Sequence, residues 1–165
     1  MIILLMGVSG AGKTSIGQRL ATELAWDFYD ADDFHPPANI EKMRQGIALQ
    51  DVDRVPWLKI LGHEVAQWLL ADRNVVLACS ALKAGYRDQL YLDHQAVQLV
   101  YLHGTPDLLH QRLQQRHHHF MSSSLLQSQL DSLEEPTEGI QIEIDQEPEA
   151  IIAQILKRLN ITVES

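Results

Sequence analysis

The sequence has little basic charge, a single cysteine and no long apolar run, and each shortage excludes a class of protein. Lysine and arginine total 13 against 22 acidic residues, and the formal net charge of -9 argues against a broad basic face for nucleic acid. The lone Cys79 has no partner for an internal disulfide, which is typical of a reducing, cytoplasmic location. The apolar start, residues 1–7, is too short for a membrane span or a signal peptide and lacks a basic flank. We therefore expect no nucleic-acid partner and no membrane association.

Length and composition indicate one folded domain. The chain has 165 residues, of which 45% are apolar and 21% charged, so it can bury a sizeable core. No repeat, low-complexity tract or linker divides it, and we predict a single domain over residues 1–165. Short apolar runs alternate with helical patterns, which predicts an α/β fold with a parallel sheet. The predicted strands are residues 2–6, 27–31, 75–79, 96–102 and 140–144.

Helices are expected between these strands. Ile16, Leu20 and Leu24 share one face of a helix from Lys13 to about Ala25. Prolines and a capping residue indicate where three further helices begin. One is predicted to begin at Pro56, one is capped by Thr105, and the last runs from Pro148 to about Leu159. The five strands would thus be flanked by helices on both faces of the sheet.

The first predicted strand runs directly into GVSGAGKT, residues 7–14, a full match to G-x-x-x-x-G-K-[ST]. In this motif, backbone N–H groups of a glycine-rich loop surround phosphates at a helix N-terminus. Lys13 is expected to reach the β- and γ-phosphates and Thr14 to bind Mg²⁺. The motif therefore predicts a nucleoside triphosphate site. Its expected contacts are Gly7, Ser9, Gly10, Ala11, Gly12, Lys13, Thr14 and Ser15.

An acidic cluster follows the second predicted strand, in YDADDFHPPANIEKM, residues 29–43. A solvated acidic turn is one interpretation. The other interpretation is a metal and substrate site. The third strand ends in Cys79 and lacks the metal-positioning aspartate of other P-loop ATPases, so the metal needs a carboxylate from elsewhere. Carboxyl ends of parallel strands open onto one crevice, so Asp30 and Asp32 should face the phosphate loop. One carboxylate would then hold Mg²⁺, for which we choose Asp30, and the other would accept a proton from a substrate hydroxyl.

Several motifs together resemble the gluconate kinase family. They are GVSGAGKT, DADDFHP, NIEKMRQGIALQDVDRVPWL, CSALKAGYRDQL and HHHFMSSSLLQSQLDSLEEP, and they occur in the family's order across about 130 of the 165 residues. The resemblance implies a P-loop kinase fold similar to nucleoside-monophosphate and shikimate kinases. It also implies a small helical substrate-binding segment at about residues 36–72 and a mobile lid at about 117–136. The family departures are Ala48, where proline is usual, and His117 and His118, and neither lies at a catalytic position.

The activity implied by the resemblance is ATP-dependent phosphorylation of D-gluconate to 6-phosphogluconate, usually by a homodimer. Asp32 would orient the acceptor hydroxyl. His35 would bind a substrate hydroxyl or fix the turn, and the lid would contribute His119 and Gln129. Adjacent histidines on a helix point about 100° apart, so the run at 117–119 is a poor zinc site.

Five cations are candidates for binding the substrate or the phosphates. Arg54 suits a substrate carboxylate, although a structural ion pair with Asp51 or Asp53 is the alternative. Lys83 and Arg87 stand one turn apart on a predicted helical face and could also bind the carboxylate, or be surface charges.

Arg112 and Arg116 also stand one turn apart, on the helix that enters the predicted lid. They are expected to close over the transferring phosphoryl group like an arginine finger. Solvated helix arginines are the alternative.

Two rival functions stay open at this point. A kinase for another small hydroxy acid, such as shikimate, would share the loop and the aspartates, but CSALK replaces the glycine-rich turn of such kinases. A non-catalytic nucleotide-binding regulator would be expected to lack some of Lys13, Asp32, Arg112 and Arg116, and all four are present.

Overall fold

The sheet at the centre of the molecule is parallel. The computed structural model describes residues 1–90, 94–116 and 123–163. Within these ranges five strands pair in the order β2-β3-β1-β4-β5. Their bounds are β1 Ile2–Met6, β2 Asp27–Asp30, β3 Val75–Cys79, β4 Val97–His103 and β5 Ile140–Glu143. The predicted five-stranded parallel sheet is confirmed, with strand ends shifted by at most one residue.

The helices fill the connections between strands, as parallel pairing requires. In the described part of the chain they are α1 Lys13–Leu24, α2 Pro37–Arg44, α3 Asp51–Leu70, α4 Ala84–Asp88, α5 Pro106–Gln114, α6 Ser123–Ser132 and α7 Pro148–Leu159. A 3₁₀ turn, Ala31–Phe34, follows β2 directly. None of these helices has the length and apolar character needed to cross a bilayer.

Side-chain alternation along the strands gives the sheet two buried faces. Ile3 and Leu5 of β1 belong to the core that also contains apolar residues of α1, α5, α6 and α7. Ile2 and Leu4 point the other way, into a core shared with Trp57 and other residues of α3. Helices therefore cover both faces and leave the carboxyl ends of the strands as the open edge, where ligands bind in such folds.

Helix α3 begins at Asp51, so the predicted start at Pro56 is wrong. Gln50 and Asp53 form a reciprocal capping box: the Asp53 carboxylate accepts from the Gln50 N–H at 2.9 Å. This cap starts the helix upstream of the proline and outweighs its missing N–H. The result places Arg54 within the first turns of a long helix, facing the edge of the sheet.

Candidate active site

The phosphate loop connects β1 to α1 in a conformation that only glycine allows at two positions. Gly12 immediately precedes α1 with φ 89°, in the left-handed region. A Cβ on Gly7 would lie 2.7 Å from the Leu102 carbonyl oxygen, so the loop approaches β4 too closely for a side chain. Lys13 donates from Nζ to the Val8 carbonyl at 3.1 Å. Burial lowers the pKa of Lys13, whereas the charges of Asp32 and Asp30 raise it.

Thr14 and Asp30, the predicted metal ligands, lie in contact. The Thr14 hydroxyl donates to Asp30 Oδ2 at 2.7 Å, and Asp30 Oδ1 accepts from the Asp32 N–H at 3.0 Å. Two hard oxygen donors beside a phosphate loop suit Mg²⁺, which binds one or two protein oxygens and completes its shell with phosphate and water. Among the described residues no group of three or more metal-ligating side chains occurs, so a metal held by the protein alone is not indicated there.

Asp32 lies on the 3₁₀ turn after β2, beside the phosphate loop. Its carboxylate is 58% exposed because it borders an open cleft. Protein atoms crowd the cleft on the other sides, and this loss of solvation, followed by repulsion from Asp30, raises the pKa of Asp32 to about 6. A carboxylate with a raised pKa is a stronger proton acceptor than an ordinary aspartate.

His35 is built into a buried support for this turn. Its ring stacks on Trp57 with centroids 4.4 Å apart, and the Trp57 indole N–H donates to the Ala31 carbonyl at 2.8 Å. Asn39 Nδ2 lies 3.2 Å from His35 Nδ1 and also donates to the Asp53 carbonyl at 2.8 Å. With Asn39 as the donor, the His35 proton resides on Nε2, which lies 3.7 Å from Asp32 Oδ1. His35 thus fixes the turn and faces Asp32, and of the two predicted roles the geometry favours fixing the turn.

His35 is expected to make folding stability depend on pH. Burial, then the charge of Arg54, lowers the pKa of His35 to about 4 from 6.5. The unfolded chain therefore binds more protons between these values, so stability is full above about pH 6.5 and falls as the pH drops toward 4. Between pH 7 and pH 5 the wild type should lose about 2 kcal/mol more unfolding free energy than His35→Gln, by urea denaturation. His63→Gln, on the exposed side of α3, should behave like the wild type. Equal losses in all three proteins would contradict the assignment.

A cleft opens between the phosphate loop, the turn after β2, α3 and α6. Its empty space is about 630 Å³, counting the space that is open to solvent. Its polar lining comes from separate parts of the chain: Ser9, Lys13, Asp32, His35, Arg54, Ser80, Ser128 and Gln129. Phosphate-loop residues and the acidic cluster therefore share one cavity.

Arg54 of α3 lines this cleft, and its side chain also contacts Asp51 and Tyr86. Its side chain is 12% exposed, and Nη1 lies 3.8 Å from Asp51 Oδ1 and 3.4 Å from the Tyr86 hydroxyl. Lys83 donates to the two Asp51 oxygens at 3.0 and 3.1 Å, and the Tyr86 hydroxyl also donates to Asp51. The Asp51 partner named in the alternative interpretation of Arg54 is thus present. A guanidinium has five donors, so Arg54 can still bind an anion in the cleft.

Arg87 lies elsewhere, and the prediction that it shares a helical face with Lys83 is wrong. Lys83 precedes α4 as its N-cap residue, whereas Arg87 is 2% exposed inside the core. The Arg87 guanidinium donates to the Ala81 carbonyl at 2.9 Å, and its Nε lies 3.6 Å from Glu138. Ala81 belongs to the same motif, but Glu138 comes from distant sequence, so spacing within CSALKAGYRDQL could not reveal that ion pair. In this structure Arg87 braces the loop after β3 and does not line the cleft.

Arg112 and Arg116 differ in their surroundings although they stand one turn apart. Arg112 donates to the Ile144 carbonyl at 2.6 Å, and a Cβ on Gly12 would lie 4.0 Å from its Nη1. Arg112 therefore borders the phosphate loop at the end of β5. Arg116 is exposed, and its charge lowers the pKa of Lys13, so it lies within electrostatic reach of the same loop.

Helix α6 carries Gln129, and His119 lies outside the described residues with the rest of 117–122. The Ser9 N–H of the phosphate loop donates to Gln129 Oε1 at 2.7 Å. Leu125 and Leu126 of α6 are 5% and 0% exposed, so this part of the predicted lid, residues 117–136, is packed against the protein interior. The sequence did not indicate this packing, because the leucines lie among serines and glutamines.

Sequence reasoning missed the supporting residues of the site. Asn39 holds His35, and Asp51 gathers Arg54 and Lys83. Asn39 follows His35 by one helical turn, a spacing that could have indicated contact. Asp51 was named only as a possible partner of Arg54, and its contact with Lys83 had no such signal because Lys83 belongs to another element.

Comparisons with known proteins give one matching family model and several similar kinases. The family model described as shikimate kinase matches residues 9–160. A probable gluconokinase of Xenopus tropicalis is 43% identical, covering 94% of this chain and 91% of that protein. The gluconokinase structure from Sinorhizobium meliloti 1021 superposes with a TM-score of 0.81 at 39% identity, covering 96% of this chain and 94% of that one. An unliganded sugar kinase from Janibacter sp. HTCC2649 gives a TM-score of 0.89 at 42% identity, with 98% and 95% covered.

Solved shikimate kinases are more distant. The structure from Bacteroides thetaiotaomicron is 20% identical with a TM-score of 0.72, covering 98% of this chain and 99% of that one. At this identity the likeness is one of fold.

Proposed function

The chain belongs to the gluconokinase family, and we propose that it transfers the terminal phosphoryl group of ATP to D-gluconate, giving ADP and 6-phospho-D-gluconate. The observation that carries the proposal is the shared cleft, which Lys13, Asp32 and Arg54 line together. A phosphoryl donor, a proton acceptor and a cation for a carboxylate are the groups that phosphorylation of a sugar acid requires.

The donor side of the site binds phosphate without covalent chemistry. The loop N–H groups and Lys13 surround the phosphates at the N-terminus of α1. Thr14 and Asp30 would hold Mg²⁺, which supplies charge neutralisation to the phosphate oxygens when bound. Arg112 and Arg116 would add positive charge near the loop.

The acceptor side positions the hydroxyl of gluconate. Asp32 accepts the hydroxyl proton as the hydroxyl oxygen forms its bond to the γ-phosphorus, and the bond from that phosphorus to the bridging oxygen of ADP breaks. His35 and Trp57 hold the turn that carries Asp32. Arg54 binds the carboxylate of gluconate, with Asp51, Lys83 and Tyr86 fixing its orientation. Lys83 and Arg87 are less suited to direct contact, since Lys83 is bound to Asp51 and Arg87 is buried.

The assay is ADP formation from Mg-ATP with gluconate, its epimers, shikimate or no acceptor. Gluconate should give turnover well above the other acceptors and above the reaction without acceptor. Turnover with shikimate in place of gluconate would support the rival function, a kinase for another hydroxy acid. The observation in favour of that rival is the description of the matching family model, shikimate kinase. ATP binding without turnover on any acceptor would support the regulator.

The quaternary and cellular context belongs to the same proposal. We propose a homodimer, in line with the family resemblance, and note that Val52, Val55 and Ile60 lie exposed along α3. The use of ATP and a single buried thiol, Cys79, fits the cytoplasm.

A further inference from the structure

A side chain from α6 contacts the backbone of the phosphate loop. Gln129 Oε1 accepts the Ser9 N–H at 2.7 Å, across 120 residues of sequence. The backbone of α6 is held in place by Leu126, which is fully buried in the core next to the loop. The contact thus joins two fixed elements through one flexible carboxamide.

The bonded N–H is one that the loop would offer to an anion. Ser9 and Gln129 line the same cleft as Asp32, so Ser9 lies on the acceptor side of the loop. The phosphate nearest the acceptor has to be the terminal one, because that group is transferred. An ionised phosphate oxygen makes hydrogen bonds roughly twice as strong as a neutral carbonyl does, so it would displace Gln129 Oε1 from Ser9.

A carboxamide can respond to this displacement without moving the helix. It carries one acceptor and one double donor, and rotation about the last torsion exchanges them at low cost. After rotation Nε2 would face the phosphate oxygen and donate to it. A carboxylate at this position could accept the Ser9 N–H but could not donate to a phosphate oxygen, and an aliphatic side chain could do neither.

We propose that Gln129 is a positioning residue that distinguishes a triphosphate from a diphosphate in the loop. The carboxamide that contacts the Ser9 N–H in this structure would donate from Nε2 to the terminal phosphoryl group of bound ATP and hold that group toward the acceptor. This inference rests on the proposed function and goes beyond it, since it assigns to α6 the recognition of the group to be transferred.

The test measures binding of Mg-ATP and Mg-ADP by calorimetry, without acceptor, to the wild type and to three variants. Gln129→Glu should weaken Mg-ATP binding at least about tenfold more than Mg-ADP binding, because the added carboxylate repels the terminal phosphate. Gln129→Leu should weaken Mg-ATP about fivefold and Mg-ADP less, from loss of one hydrogen bond to a charged group. Gln127→Glu adds the same charge to α6 at an exposed position bonded to Asp131, and it should leave both affinities near those of the wild type.

Equal loss of ATP and ADP affinity in Gln129→Glu would overturn the proposal, since the amide would then serve only to fasten α6. The same follows if Gln127→Glu reproduces the ATP-selective loss. Thermal unfolding and circular dichroism check that each variant is folded, and Gln129→Leu decides if Gln129→Glu is not. Because no acceptor is present, the result is independent of gluconate turnover, whose absence in the wild type would overturn the proposed function instead.

Discussion

Replacing Asp32 with asparagine is expected to lower gluconate-dependent kcat by about 10²- to 10⁴-fold, the range typical of a lost proton acceptor. Asparagine keeps the size of the side chain, and the bond from the Asp32 N–H to Asp30 uses the backbone, so the turn and the metal ligand should survive. The affinity for Mg-ATP should not fall, because the substitution removes a negative charge beside the phosphates. Steady-state kinetics with saturating gluconate and calorimetry with Mg-ATP separate the two effects.

Asp33→Asn is the matched control for this change. Asp33 is the exposed neighbour of Asp32 on the same 3₁₀ turn and does not line the cleft. Its substitution should leave kcat within about threefold of the wild type, as expected for a surface change of a few tenths of a kcal/mol. A small effect of Asp32→Asn together with a large effect of Asp33→Asn would contradict the role of Asp32 and indicate Asp33 as the proton acceptor.

The sheet and the donor half of the site could be predicted from the sequence because both depend on local pattern. Apolar runs mark buried parallel strands wherever they lie, and the order of strand ends brings Thr14 and Asp30 to one edge. The Thr105 cap and the helix after it are likewise local, and the Thr105 hydroxyl accepts from the Leu108 N–H at 3.2 Å.

The acceptor half depends on contacts between distant segments, and these had no local signal. Arg87 could have been a surface charge by its spacing, yet it is buried, donating to the Ala81 carbonyl and lying 3.6 Å from Glu138. Lys83 was expected to contact substrate, but Asp51 of α3 lies within hydrogen-bond distance of it. A buried cation needs nearby acceptors. Spacing along one helix shows which residues share a face, but it does not show what that face will meet.

Arg112 of α5 and Arg116, just after this helix, are expected to have different roles. By spacing they are equivalent, whereas Arg112 is bonded to the Ile144 carbonyl beside the loop and Arg116 is exposed. Arg112 is therefore in place before the reaction and should contribute to binding of ATP. The side chain of Arg116 makes no hydrogen bond or ion pair with the other described residues, so we expect it to act on the charge that develops during transfer.

Arg116→Ala is accordingly expected to lower kcat by about 10³-fold or more, the effect of removing an arginine finger, with a smaller change in the KM for ATP. Arg112→Ala should chiefly raise the KM for ATP, because it removes an interaction made equally in the ground state and the transition state. Arg158→Ala, an exposed arginine in the last turn of α7, should change neither parameter. If kcat falls strongly in Arg112→Ala and little in Arg116→Ala, the roles are reversed, and the fixed arginine stabilises the transferring group.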